Sequence, residues 1–470
     1  MKRSAKTLFV LPFVFGGALH AWAQAAPPAL PAGQVIESVA CAEDSSETYA
    51  AYLPASYTPA KRWPILYAFD PMARGSVPVK LYKDVAERYG YILVASNTSR
   101  NFSLQSSSKS ANAMWQDTHL RFALDPRRIY TAGFSGGARV AGMVALSCAQ
   151  CRIAGVIAFG AGYPNPRPAR DSLLYFFGVG DQDFNWPEVM GVRREREQAG
   201  EPYRVRIFSG QHEWGPAEVM EDALQWMQLK AMQAGSIPPD RGFVDQRFRQ
   251  LQDEAAEANR KKDAIAQLNA ERSLVSDFSG LRDTGDEANR LARLKASAEF
   301  RAALRKEDEQ ISQQAALTEE VAGELQQLGQ ADLDQRLALR TDIRNRMADL
   351  KSRADHAKTE SQRLVLLRAL GSLWVNGIES GQAHLRQKAW PKAMEYFQLI
   401  SDISPNEPWP CLLMAETSTA MGDKKQAIKY LREAVRRGLK NPDVLEKDDA
   451  LKALREEPEY RELLQQISGK

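Results

Sequence analysis

The chain holds 470 residues, 44% of them hydrophobic and 26% charged, with a net charge of +3 at neutral pH. That length accommodates roughly two or three domains, and the composition is that of an ordinary globular protein. So small a net charge argues against a nucleic-acid partner or a charged membrane surface.

In chain order, Lys2, Arg3 and Lys6 come first, then an apolar run from Leu8 to Leu19, then Ala21-Trp22-Ala23. Basic residues, an apolar stretch and a small-x-small site in that order form a secretory signal, cleaved after Ala23. The run is broken by Pro12, Gly16 and Gly17 and is too short to span a bilayer. The expectation is an exported protein, periplasmic or secreted, with no integral membrane segment once residues 1–23 are removed. Residues 24–45 read as a flexible mature start and a first strand. Export places Cys41, Cys148, Cys151 and Cys411 where disulfides persist. The Cys148-Ala149-Gln150-Cys151 motif closes a helix, and no second pair exists to complete a zinc site. A structural disulfide or small core residues are expected there, and no metal.

Residues 46–236 alternate short apolar runs with amphipathic stretches. The runs 63–69, 91–96, 128–134, 153–159, 172–179 and 203–208 are almost continuously apolar, as parallel strands buried on both faces require. Helical patterns at 79–89, 111–124, 137–147 and 187–198 fall between them. The alternation predicts a doubly wound, mostly parallel α/β sheet. Between the run at 91–96 and the next helix, "NTSRNFSLQSSSKSAN" (97–112) reads as a polar loop on the site edge that shapes a hydrophilic approach, with a mobile solvent loop as the other reading.

Within "RIYTAGFSGGARVAGMVALS" (128–147), Ser135 stands where a strand hands over to a helix. The Gly133-Phe134-Ser135-Gly136-Gly137 frame suits a nucleophile elbow: the glycines permit a tight turn, and the Gly136 N–H faces a substrate carbonyl from a helix N-terminus. A serine hydroxyl needs a base. Of five histidines, His20 leaves with the signal, and His356 and His384 lie far downstream in helical sequence. His119 sits mid-helix, before the nucleophile strand. His212 follows the last strand and precedes a helix, on the sheet edge where such folds build sites. A carboxylate must orient the histidine. Asp181 and Asp183 both follow the strand at 172–179, and position alone leaves the two open.

The order Ser135, aspartate, His212 is that of the α/β-hydrolase superfamily. "DPRRIYTAGFSGGARVA", "GDQDFNWPE" and "GQHEWGPAEVMEDALQWM" together resemble secreted esterases related to polyhydroxybutyrate depolymerases and feruloyl or acetylxylan esterases, over residues 45–235. The resemblance implies hydrolysis of carboxylic esters through an acyl-enzyme, without a cofactor. It implies that the acid is the aspartate followed by Phe-Asn, Asp183, where a count from Gly178 gives Asp181. One stretch departs from the family. Its Gly-rich loop after the third strand is replaced by Asp70-Pro71-Met72-Ala73-Arg74-Gly75. Pro71 has no N–H, so the second oxyanion donor falls to Met72 or a close neighbour. Arg74 reads as solvent-facing, with an acidic substrate group as the other reading. The dozen residues of "GAGYPNPRPARD" (160–171) leave no room for a lid domain.

Pro238-Pro239 marks a break, and a self-contained hydrolase domain is expected to end there. Residues 240–370, free of proline, read as long antiparallel helices. Ile343, Met347, Leu350, Ala354, Ala357, Ser361 and Leu364 step by four and three, a coiled-coil-like seam, and so do Thr318, Val321, Leu325 and Leu328. Turns are expected at 276–286 and at Gly329. In 371–470, "KAMEYFQLI" (392–400) and "QAIKYLREA" (426–434) match at an offset of 34, placing Ala393 over Ala427 and Tyr396 over Tyr430. With Pro405 between them, they resemble tetratricopeptide repeats, which implies a protein or peptide partner. Two functions compete: an exported serine esterase with an appended helical interaction module, or a scaffold whose hydrolase domain is inactive and whose repeats bind.

Overall fold

The computed structural model describes residues 28–101, 104–148, 151–163, 173–446 and 448–469. The expected signal, its cleavage site and most of the 160–171 loop lie outside the described residues. Eight strands form one sheet: β1 (Val35–Ala40), β2 (Thr48–Tyr52), β3 (Trp63–Phe69), β4 (Ile92–Ser96), β5 (Leu124–Phe134), β6 (Gly155–Phe159), β7 (Leu174–Gly180) and β8 (Tyr203–Phe208). Their spatial order is β1-β2-β4-β3-β5-β6-β7-β8. From β4 to β8 every pairing is parallel, while β1 and β2 join antiparallel at one edge. The helices α1 (Ser76–Tyr89), α2 (Leu104–Arg121), α3 (Gly136–Ser147), α4 (Trp186–Ala199) and α5 (Ala217–Gln233) alternate with the strands.

The strand sequences account for this layering. Every residue of β3, β4 and β6 is buried, which continuous apolar runs achieve only between two covering layers. Helix α1 buries Val79, Tyr82, Val85 and Ala86, spaced three and four apart. Left-handed Gly90 (φ 66°) closes it. Tyr82, Phe159, Phe176 and Trp226 belong to the main core.

Helix α2 starts earlier than its apolar pattern suggests, at Leu104, so much of the serine-rich stretch expected as a loop is helical. Ser107 and Ser110 are buried. Ser110 donates to Glu47 Oε2 (2.7 Å), Thr98 bonds the same carboxylate, and Ser99 bonds Ser107. These side chains satisfy one another, so a polar sequence fits an interior position.

Two compact units divide between Glu307 and Asp308, not at Pro238-Pro239. The first therefore includes α6 (Arg241–Arg260), α7 (Ala264–Phe278) and α8 (Gly285–Ala296). Leu229 and Met232 of α5 share a core cluster with Val244, Phe248, Leu251, Leu274 and Phe278. Beside it, buried Asp222 takes ion pairs from Arg204 (2.9 Å), Arg206 (2.6 Å) and Arg247 (2.5 Å), while Asp277 takes them from Arg204 (3.5 Å) and Lys230 (3.1 Å). Burial pushes the Asp222 carboxyl up, but the three guanidiniums outweigh it and hold the group well below the usual carboxylate range. Arg272 of α7 donates to the Tyr203 carbonyl of β8 (2.6 Å) and lies 3.7 Å over its ring. The proline pair is thus a bend inside one unit.

The second unit holds most of α9 (Ala298–Leu328), then α10 (Leu333–Asp355), α11 (Glu360–Arg386), α12 (Trp390–Ile403), α13 (Trp409–Ala420), α14 (Lys424–Arg436), α15 (Asp443–Glu446) and α16 (Pro458–Ser468). Val321, Leu325, Leu328, Ile343, Met347, Leu350 and Ala354 form one buried seam. It ends there: α10 stops at Asp355, and Thr359 caps the next helix by accepting from the Gln362 N–H. Ala357, Ser361 and Leu364 are consequently not continuations of the α10 face. Ala393 and Ala427 are both fully buried, Tyr396 is buried and Tyr430 partly so.

Candidate active site

The turn between β5 and α3 has the strained geometry its glycines suggest. Ser135 sits at φ 53°, ψ −122°, a region that residues with a Cβ rarely occupy. Its N–H donates to the Phe159 carbonyl of β6 (2.8 Å), and its carbonyl accepts from the Ala138 N–H (3.0 Å). A Cβ on Gly133 would lie 2.2 Å from the Gly137 oxygen, and one on Gly137 would lie 2.0 Å from the Phe69 oxygen. Backbone blocks both positions, so nothing larger than glycine fits.

His212 reaches this serine from the loop between β8 and α5. His212 Nε2 lies 2.9 Å from Ser135 Oγ, and His212 Nδ1 lies 2.9 Å from Asp183 Oδ1. Its ring is held between Phe134 (centroids 4.6 Å apart) and Phe184 (4.2 Å). Asp183 is fully buried, and its Oδ1 also accepts from the Asn185 N–H (2.8 Å). Asp181 has another set of partners: its carboxylate accepts from the Gly210 N–H (3.2 Å), and its own N–H donates to the Phe208 carbonyl (2.8 Å). It fastens the loop that carries His212. His119 lies on α2 against Trp115, with ring centroids 4.0 Å apart.

Several contributors escape a reading by motif. Gly160, after β6, has φ 59°, and a Cβ there would sit 2.8 Å from Asp183 Oδ2 and 3.1 Å from the His212 ring. A glycine directly after a buried strand on the site edge was the available signal. Asp70, at the end of β3, is fully buried. It accepts from Trp214 Nε1 (2.9 Å) and from Arg74 at both oxygens (2.9 and 3.0 Å). It also accepts from the Met72 N–H (2.9 Å). Two sequence expectations change as a result. The Met72 N–H, expected as an oxyanion donor, is directed at Asp70, and Arg74 is paired with Asp70 instead of facing solvent alone. Through Trp214, Asp70 also ties the loop after β3 to the loop bearing His212. The Gly136 N–H lies in the first turn of α3, where backbone donors have no helical partner.

Cys148 and Cys151 form a disulfide at the end of α3, and Cys41 and Cys411 are buried and free. Among the described residues no helix is long and apolar enough to cross a membrane.

No protein-family model and no curated protein matches the chain. Among solved structures it is similar to a ferulic acid esterase, with 20% identity, a TM-score of 0.32, and coverage of 41% of this chain and 95% of that one. It is similar to an S-formylglutathione hydrolase from Agrobacterium tumefaciens (16%, TM-score 0.33, 41% and 93%). A hyperthermophilic esterase from the archaeon Pyrobaculum calidifontis is a third (11%, TM-score 0.33, 43% and 85%).

Proposed function

We propose that this protein is an exported serine hydrolase that cleaves carboxylic esters through Ser135, His212 and Asp183. The carrying observation is the unbroken hydrogen-bonded line from Ser135 Oγ through the His212 ring to Asp183 Oδ1. Ser135 Oγ attacks the ester carbonyl while His212 Nε2 takes its proton, and Asp183 stabilises the resulting imidazolium. The carbonyl electron pair moves to oxygen, which the Gly136 N–H meets at the start of α3. Collapse expels the alcohol, protonated by His212. Water activated by the same base then releases the acid.

Ser135→Ala is expected to abolish hydrolysis of a short p-nitrophenyl ester and labelling by a fluorophosphonate, with the melting temperature nearly unchanged. Undiminished turnover by the folded variant sinks the reading. Export is supported by the Lys2–Ala23 pattern and by the Cys148–Cys151 disulfide. The matched segments at 392–400 and 426–434 support tetratricopeptide-like repeats that bind a protein or peptide. The second reading, an inactive hydrolase domain serving as a scaffold, draws on one observation: the Met72 N–H is occupied by Asp70. Absence of fluorophosphonate labelling in the folded wild type would favour it.

A further inference from the structure

We propose that the Asn101 side-chain amide is the second donor of the oxyanion hole, completing the site with the Gly136 N–H. This rests on the serine-hydrolase reading above. A developing oxyanion is best stabilised by preorganised donors aimed at it. The loop after β3 offers none near its start. Pro71 has no N–H, that of Met72 goes to Asp70 Oδ1 (2.9 Å), and that of Ala73 to the Asp70 carbonyl (3.2 Å).

Asn101 approaches the same place from the segment after β4. Its backbone N–H donates to the Pro71 carbonyl (2.9 Å), and Met72 and Arg100 form an isolated antiparallel bridge. Residues 100–101 therefore run beside the loop after β3. The Asn101 side chain lies against Gly136: a Cβ there would be 1.7 Å from Oδ1, 2.6 Å from Cγ and 3.0 Å from Nδ2. The two glycines after the serine thus have separate reasons. Gly137 admits the Phe69 carbonyl, and Gly136 admits the Asn101 amide. The amide thus packs against the residue whose nitrogen is the first donor, one residue after Ser135.

Asn101 is partly exposed, and its side chain has no hydrogen bond to a described residue, whereas Asp70, Ser99 and Ser107 nearby are all bonded. Its NH2 has two protons to give, and a half-turn about Cβ–Cγ exchanges the two ends of the amide. In the addition step, the Oγ–carbon bond forms and the carbonyl pair moves to oxygen, where Gly136 N–H and Asn101 Nδ2–H donate to it. When the carbonyl reforms, both donors return to the neutral product.

The test compares full-length wild type, Asn101→Ala and Asn101→Asp on one p-nitrophenyl ester. Asn101→Asp keeps the shape but, ionised, cannot donate. Both variants are expected to lose about 100-fold or more in kcat, with KM moving by less than about threefold. Their fluorophosphonate labelling should slow to a similar degree, and their affinity for an alkyl boronic acid, which forms a tetrahedral adduct on the serine, should fall in parallel. A merely structural side chain would instead change KM or the melting temperature while leaving the ratio of boronate to substrate affinity alone. A kcat within about threefold of wild type, or a loss confined to KM, overturns the proposal. If wild type itself is not labelled, the hydrolase reading falls; if wild type and both variants label equally fast, only the Asn101 role falls.

Discussion

Asp183 and Asp181 stand two residues apart, yet only Asp183 meets the histidine. Asp183→Asn should therefore lower kcat on a short ester about 10⁴-fold, because an amide holds the imidazole in the wrong tautomer. Asp181→Asn should cost far less, as it loosens a loop; the opposite ranking in steady-state assays would move the acid to Asp181. Gly160 gives a sharper case. Gly160→Ala puts a methyl where Asp183 and His212 meet, at a positive φ that alanine resists. A kcat loss of about 100-fold with a modest fall in melting temperature is expected. Unchanged turnover would mean that the acid–base pair shifts without cost. At this scale the pairing of Ser135 with His212 was legible, because glycines flank the first and few histidines compete for the second. The occupied Met72 N–H was not. Sequence does not show which amide a buried carboxylate such as Asp70 will take.

The parallel strands were legible as elements because burial on both faces leaves a continuous apolar run. Helix α2 was misjudged at its start, since Ser107 and Ser110 are satisfied by Ser99, Thr98 and Glu47 from segments distant in sequence or across a turn. The join between β8, α5 and α6 was illegible for a related reason: arginines in a strand and on a helix read as solvated until Asp222 gathers them. Asp222→Asn removes the one anion shared by Arg204, Arg206 and Arg247, leaving Asp277 to Arg204, Glu254 to Arg206 and, among the described residues, no ion-paired acid to buried Arg247. A loss of roughly 3–5 kcal/mol of stability at neutral pH is expected from urea unfolding. The folded-state pKa is depressed, so the stabilisation is fully present above the unfolded value of about 3.9 and is lost as pH falls through the folded one. The gap between wild type and variant should thus narrow in strong acid. A gap that widened there would contradict the ion-pair account.

For the whole molecule, the change of composition at Pro238-Pro239 suggested a domain border, because proline pairs commonly mark linkers. The core crosses it: Leu229 and Met232 are covered by residues of α6 and α7. A chain ending at Ile237 should therefore aggregate or melt well below the full protein, although it keeps Ser135, Asp183 and His212. A chain ending at Glu307 retains α6, α7, α8 and the pairing of Arg193 and Arg194 with Glu307, and should unfold cooperatively with near-normal turnover on a small ester. Calorimetry and one assay on both chains decide the matter. Equal stability of the two would return the border to the proline pair.

The same helices bear on how the molecule avoids its own copies. A sheet edge exposes unpaired backbone groups that another chain can extend. At β8, Arg272 of α7 bonds the Tyr203 carbonyl and lies over its ring, so a covering side chain engages the backbone of the edge strand. At the opposite edge, β1 slips register between Ile36 and Val39, and such an irregularity bends a strand away from a flat template. Both features work against ribbon-like extension of the sheet, a guanidinium at one end and a kink at the other.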